Sequence, residues 1–142
     1  MAGKGTKRRV LLIDNEPDIT ITLKVGLAEG GDFDVDAFTD PLSALNCFRP
    51  NFYDLALIDI VMPELDGFEL YERLKKIDPD VKVCFLTASE MYHEEFREVE
   101  HRGLNEDLFL QKPVSAAVLV REINKKLNST RSATDKASSF SM

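Results

Sequence analysis

The chain has 142 residues and a net charge of −7, with 44% hydrophobic and 30% charged residues. That length suits one domain, the composition is globular rather than disordered, and no apolar run approaches the roughly 20 residues that span a bilayer. Between Val10 and Leu127 there are 12 basic against 24 acidic groups, so a phosphate backbone would be repelled and nucleic-acid binding through this domain is not expected.

Met1 to Arg9 is basic, but no apolar stretch of signal-peptide type follows it. Residues 1–7 read as a flexible tail. The first predicted strand is Arg9–Ile13, continuously apolar as a strand covered on both faces would be, and Asp14-Asn15-Glu16 ends it. Ile19, Ile21, Leu23, Val25 and Leu27 then alternate as in a strand. Pro17, just after polar Asn15 and Glu16, favours a helix start, and helix is the reading adopted. Phe33–Phe38 alternates strictly and fits an edge strand. Asp40-Pro41 is an N-cap with proline at the first helical position, and Leu42, Leu45 and Phe48 supply an inward stripe.

Leu55–Ile58 is a second continuously apolar strand, ending in Asp59. Asp66-Gly67 opens a helix with the stripe Leu70, Leu74 and Ile77, stopped at Asp78-Pro79. The strand Val81–Leu86 ends in Thr87-Ala88-Ser89. A helix with Tyr92, Phe96 and Val99 inward stops near Gly103. Leu108–Leu110 is the fifth strand and ends in Gln111-Lys112-Pro113. Ala116, Leu119 or Val120, Ile123 and Leu127 mark the last helix, and residues 128–142 are Ser/Thr-rich and read as a disordered tail. Cys47 and Cys84, in apolar segments without Cys-x-x-Cys spacing, read as reduced core thiols, which suits a cytoplasmic protein. His93 and His101 lack an obvious third ligand and read as surface residues. No Gly-rich phosphate loop is present.

Strand and helix alternate five times, which predicts an α/β domain with a doubly wound parallel sheet and right-handed crossovers. In such sheets ligands sit beyond the carboxyl ends of the strands. Those ends carry Asp14, Asn15, Glu16, Asp59, Thr87 and Lys112. Taken singly, each has an ordinary reading as a turn former, a cap or a solvated charge. Asp59 is the least ordinary, because a carboxylate between two apolar runs is costly unless paired or metal-bound. Together the groups suit phosphoryl capture. A carboxylate can attack phosphorus, a divalent cation can cancel charge repulsion, an ammonium can neutralise one phosphoryl oxygen and a hydroxyl can donate to another.

At these positions the sequence resembles the receiver domain of two-component response regulators. The matching pieces are Leu11-Leu12-Ile13-Asp14-Asn15-Glu16, Leu57-Ile58-Asp59-Ile60-Val61-Met62-Pro63-Glu64-Leu65-Asp66-Gly67, Phe85-Leu86-Thr87-Ala88 and Gln111-Lys112-Pro113. The likeness covers residues 8–127. It implies a flavodoxin-like (βα)5 domain with strand order 2-1-3-4-5 and phosphoryl transfer from a histidine kinase or phosphotransfer protein to Asp59, with Mg²⁺ as cofactor. Asp14 and Asn15 would match the two acidic-pocket positions, and the main-chain carbonyl of Val61 a further metal ligand. Thr87 matches the switch hydroxyl, Lys112 the family's lysine and Phe109 its rotating aromatic. Lys112-Pro113 would match the peptide bond the family holds in cis. The implied output is a protein target engaged through the fourth helix, fifth strand and fifth helix, by a monomer or a phosphorylation-dependent dimer. Membranes are not an expected partner. Catalysis beyond the domain's own phosphorylation and dephosphorylation is not expected.

Two departures stand out. Family members usually have an acid where Asn15 stands, so the site has one charge fewer, with Glu16 as a possible auxiliary. The stretch from Thr87 to Lys112 is also a few residues longer than usual, around residues 101–107. Two other readings compete: a receiver-like binding module that is not phosphorylated, motivated by Asn15, and a small hydrolase using Asp59 covalently. The hydrolase is the weakest, since Val61 stands where Asp-nucleophile phosphatases place a second acid.

Overall fold

The computed structural model describes residues 7–88, 92–102, 109–112 and 114–140. Its elements are β1 (Arg9–Ile13), α1 (Pro17–Gly30), β2 (Asp34–Phe38), α2 (Pro41–Cys47), β3 (Leu55–Asp59), α3 (Gly67–Ile77), β4 (Lys82–Thr87), α4 (Tyr92–His101), β5 (Phe109–Gln111) and α5 (Ala116–Phe140). The strands form one sheet in the order β2-β1-β3-β4-β5, and every pairing is parallel. This is the doubly wound, flavodoxin-like arrangement expected from the alternation and the resemblance.

The sheet separates two cores. One face buries Leu11, Ile13, Ala56, Ile58 and Phe85 against Ala44 of α2, Phe68, Leu70 and Leu74 of α3 and Val99 of α4. The other buries Val10, Leu12, Leu55, Leu57 and Cys84 against Leu23 and Leu27 of α1 and Leu119, Ile123 and Leu127 of α5. β1 and β3 read as unbroken apolar runs because both of their faces are covered. β2 shows one wet face because it lies at an edge.

Several local expectations shift in phase. In α1 the buried residues are Thr20, Leu23 and Leu27, with helical spacing, while Ile21 and Val25 face outward. The strand-like alternation there came from exposed aliphatics. In α2 Pro41 and Ala44 are buried, Leu45 is half-buried against the same core and Phe48 is buried at the C-cap, while Leu42 is exposed. Cys84 is buried as expected. Cys47, at the last turn of α2, is exposed, so only one of the two thiols is a core residue. Ile77, at the end of α3, also faces solvent.

α5 runs to Phe140, through residues that composition alone reads as a tail. The segment after Leu127 holds neither proline nor glycine, so nothing in it breaks a helix once begun. Among the described residues no helix is long and apolar enough to cross a membrane. α1 and α5 approach closely: a Cβ added at Gly26 would lie 2.2 Å from the Cβ of Ala116.

Candidate functional site

The carboxyl ends of β1, β3, β4 and β5 meet at one rim. Asp14 follows β1 and is fully buried. Its Oδ1 accepts the Glu16 N–H at 3.0 Å, and its backbone N–H donates to the Phe38 carbonyl at 3.1 Å. Thr20 fixes the same turn, since its hydroxyl lies 2.8 Å from the Asp14 carbonyl and 2.9 Å from that of Glu16. Sequence reasoning passed over Thr20, although it shares the helical face of Leu23 and Leu27.

Asp59 is the last residue of β3 and is buried. β3 pairs with β4 in the register that sets Asp59 opposite Leu86, and the Ile60 N–H continues the ladder to the Leu86 carbonyl at 3.0 Å. The chain then turns sharply through Glu64, which takes φ 71°, a left-handed conformation costly for a residue with a Cβ. Asp66 caps α3 by accepting the Glu69 N–H at 2.9 Å. Gly67 comes back against the strand end, where an added Cβ would stand 2.7 Å from the Asp59 carbonyl oxygen. Its absent side chain lets the loop close over the acceptor.

Lys112 supplies the positive charge. Its Nζ lies 3.2 Å from Asp14 Oδ2, 3.1 Å from Glu16 Oε1 and 3.6 Å from Asp59 Oδ2. Burial pushes the Asp59 carboxyl up, the neighbouring Asp14 carboxylate adds to it, and Lys112 and the Val61 N–H oppose them; the result is about 7. Burial works against the Lys112 ammonium, but Asp59, Asp14 and Glu16 outweigh it and raise its pKa. The site therefore has more buried negative charge than one ammonium offsets.

Thr87 ends β4 and is fully buried. Its hydroxyl donates to the carboxylate of Glu95, on α4. Glu95 is itself buried, and burial and then the Asp59 charge push it up to about 7. Sequence reasoning did not single it out. Phe109 is buried at the start of β5, its ring centroid 6.5 Å from that of Phe85, in an aromatic group that Phe68 and Tyr71 complete.

Of the sequence-predicted residues, Asp14, Glu16, Asp59 and Lys112 are thus joined by contacts, and Thr87 lies on the same rim. Asn15 and Val61 are exposed beside them. Pro113 and residues 103–108 lie outside the described residues, as do the side chains of His93 and His101. Among the described residues no three acidic, histidine or cysteine side chains form a metal cage. A cation here would rely on the Asp14 and Asp59 carboxylates, completed by neutral oxygens of Asn15 and Val61. That all-oxygen set, beside uncompensated buried charge, fits a hard divalent ion.

The family model for the response regulator receiver domain matches residues 10–124. The response regulator receiver protein CpdR of Brucella abortus is 35% identical over 127 residues, covering 84% of this chain and 97% of that protein. The probable transcriptional regulator ycf27 of Guillardia theta is 34% identical over 128 residues, covering 90% of this chain but 48% of its own length, so the chain spans about half of that relative. A solved CheY-like response regulator receiver domain protein from Methanospirillum hungatei superposes with a TM-score of 0.77 at 26% identity, covering 90% of this chain and 99% of that one.

Proposed function

Because the chain belongs to the response regulator receiver domain family, a family of signalling domains, we propose that it accepts a phosphoryl group on Asp59 and changes a partner-binding surface in response. The observation that carries this reading is a buried, charge-stressed Asp59 carboxylate at a rim with Asp14, Lys112 and Thr87.

In the proposed step an Asp59 carboxylate oxygen attacks phosphorus. The P–N bond of a kinase or phosphotransfer phosphohistidine breaks, and its electron pair leaves with the imidazole, which takes up a proton. Lys112 draws in the phosphoryl group and holds one of its oxygens. The Thr87 hydroxyl donates to another, and the sharp turn through Glu64 and Gly67 holds the acceptor in place. Mg²⁺, held by Asp14, Asn15, Asp59 and the Val61 carbonyl, would when bound offset the charge between carboxylate and phosphoryl oxygens. Water attack on the acyl phosphate would reset the domain. The output we propose is a protein target engaged by α4, β5 and α5, within a cytoplasmic two-component pathway.

The test is intact-mass spectrometry after exposure to acetyl phosphate, with and without Mg²⁺. We expect a single phosphoryl adduct on the wild type and none on Asp59→Asn, with an unchanged circular dichroism spectrum. A stoichiometric adduct on Asp59→Asn would place the acceptor elsewhere.

A further inference from the structure

Glu95 is an acid that the proposed chemistry does not use and that the fold nonetheless takes inside. It lies in the first half of α4. Its neighbour Glu94 is exposed, whereas Glu95 is 7% exposed and its carboxylate accepts the Thr87 O–H. A hydroxyl has one proton to donate. In the resting molecule that proton is given to Glu95, but phosphoryl capture at Asp59 requires it on a phosphoryl oxygen. Both bonds cannot be made at once.

Charge favours the exchange in one direction. Asp59 already acts on Glu95 from nearby. A phosphoryl group on Asp59 carries more negative charge than the carboxylate it replaces, about −2 at neutral pH. A buried Glu95 carboxylate that has also lost its donor is then strongly disfavoured. An exit lies beside it. Glu95 lines a cleft of about 340 Å³ together with Val61, Met62 and the further acids Asp66, Glu94 and Glu98, and Val61 is largely exposed.

We propose that Glu95 is a positioning residue that holds the Thr87 hydroxyl away from the acceptor in the resting state, and that phosphoryl addition at Asp59 displaces it, moving the first turns of α4. This rests on the reading of Asp59 as phosphoacceptor and adds a restraint on when Thr87 becomes available. The phosphoryl group thereby acts on α4 directly, through loss of a side-chain bond, and not only through the ring of Phe109.

The experiment compares initial rates of acetyl phosphate labelling, read by intact mass, at saturating Mg²⁺ and pH 8. The variants are wild type, Glu95→Ala, Glu95→Gln, Thr87→Ala and Thr87→Ala/Glu95→Ala. Glu95→Ala should label at least threefold faster than wild type. Glu95→Gln, which keeps an acceptor but no charge, should fall between them. Within Thr87→Ala the added Glu95→Ala change should accelerate labelling less than twofold, because the hydroxyl it would free is gone. Rates for Glu95→Ala at or below wild type, or an equal gain in both backgrounds, would overturn the inference while leaving Asp59 as acceptor. If Glu95→Ala does not fold, Glu95→Gln at the wild-type rate overturns it. A wild type that takes no label removes the acceptor reading, and this inference with it.

Discussion

The backbone N–H of Lys112 donates to the carbonyl of Thr87 across 2.7 Å. The residue that offers the rim's positive charge and the residue that offers its hydroxyl are thus joined through the sheet ladder, where β4 and β5 set Thr87 opposite Gln111. Neither can shift along its strand without the other. The Lys112 side chain is consequently aimed from a fixed base at Asp14, Glu16 and Asp59.

Lys112→Ala should leave two buried carboxylates facing each other without their cation. Breaking a buried pair costs about 3–5 kcal/mol, and we expect about 3 because the acids can take up protons. Urea denaturation at pH 8 without metal measures it. The loss should shrink at pH 5.5, where Asp59 is protonated; an equal loss at both pH values would mean that the lysine acts through packing. The same variant should bind Mg²⁺ but gain no partner affinity on phosphorylation.

Stability without metal should fall as pH rises from 6 to 8. Asp59 in the folded chain titrates near 7, well above an unfolded aspartate. The folded state therefore binds more protons across this window, and raising pH removes that advantage. One such group contributes about 1 kcal/mol over these two pH units. Glu95, also near 7, acts in the same direction. Thermal melts at pH 6 and 8 check it, and saturating Mg²⁺ should flatten the difference by favouring the ionised carboxylate. A flat profile without metal would show that the rim charges are compensated.

Asn15→Asp should tighten Mg²⁺ binding by about tenfold, or about 1.4 kcal/mol, near the low end for interactions with a charged group. In the absence of metal the same change should lower the melting temperature, since it adds charge beside Asp14 and Asp59. A Mg²⁺ titration and paired melts measure both. Equal affinity in the two proteins would place residue 15 outside the metal shell, or show that Glu16 already supplies the charge.

Gly67→Ala should destabilise the domain by about 1–3 kcal/mol, the usual scale of overpacking. The new Cβ would meet the Asp59 carbonyl oxygen and the Ile60 Cα, both at 2.7 Å. Because these are backbone atoms, the loop rather than a rotamer must yield. Labelling of Asp59 should slow as well. Wild-type stability in this variant would show that the turn has room to open.

The fold was legible because β1 and β3 are apolar without interruption, and the proline-led starts of α1 and α2 mark where helices begin. Asp14, Asp59, Thr87 and Lys112 were legible for a related reason: each stands where an apolar run stops, and the sheet brings those stops together. Glu95 was not. It follows Glu94 in an acidic helix, and only the phase of α4 tells a buried glutamate from an exposed one. The available signal was its position four residues before Val99, which places both on one helical face. Cys47 was misread because apolar neighbours in sequence do not share a face at a short helix's last turn.

The contact between Gly26 and Ala116 has a bearing on where motion can go. A Cβ at Gly26 would stand 2.2 Å from that of Ala116, so α1 and α5 pack closely at this crossing. The flank of the sheet they cover is therefore expected to stay fixed. On the reading proposed above, a disturbance starting at Asp59 would yield on the other side, where α4 holds its place partly through one carboxylate on one hydroxyl. If α4 moves as proposed, the two sides of the sheet would divide their duties: one would keep the molecule's shape while the other reports. Amide hydrogen exchange before and after phosphorylation should find α1 and the α5 turns up to Leu127 unchanged, and α4 less protected.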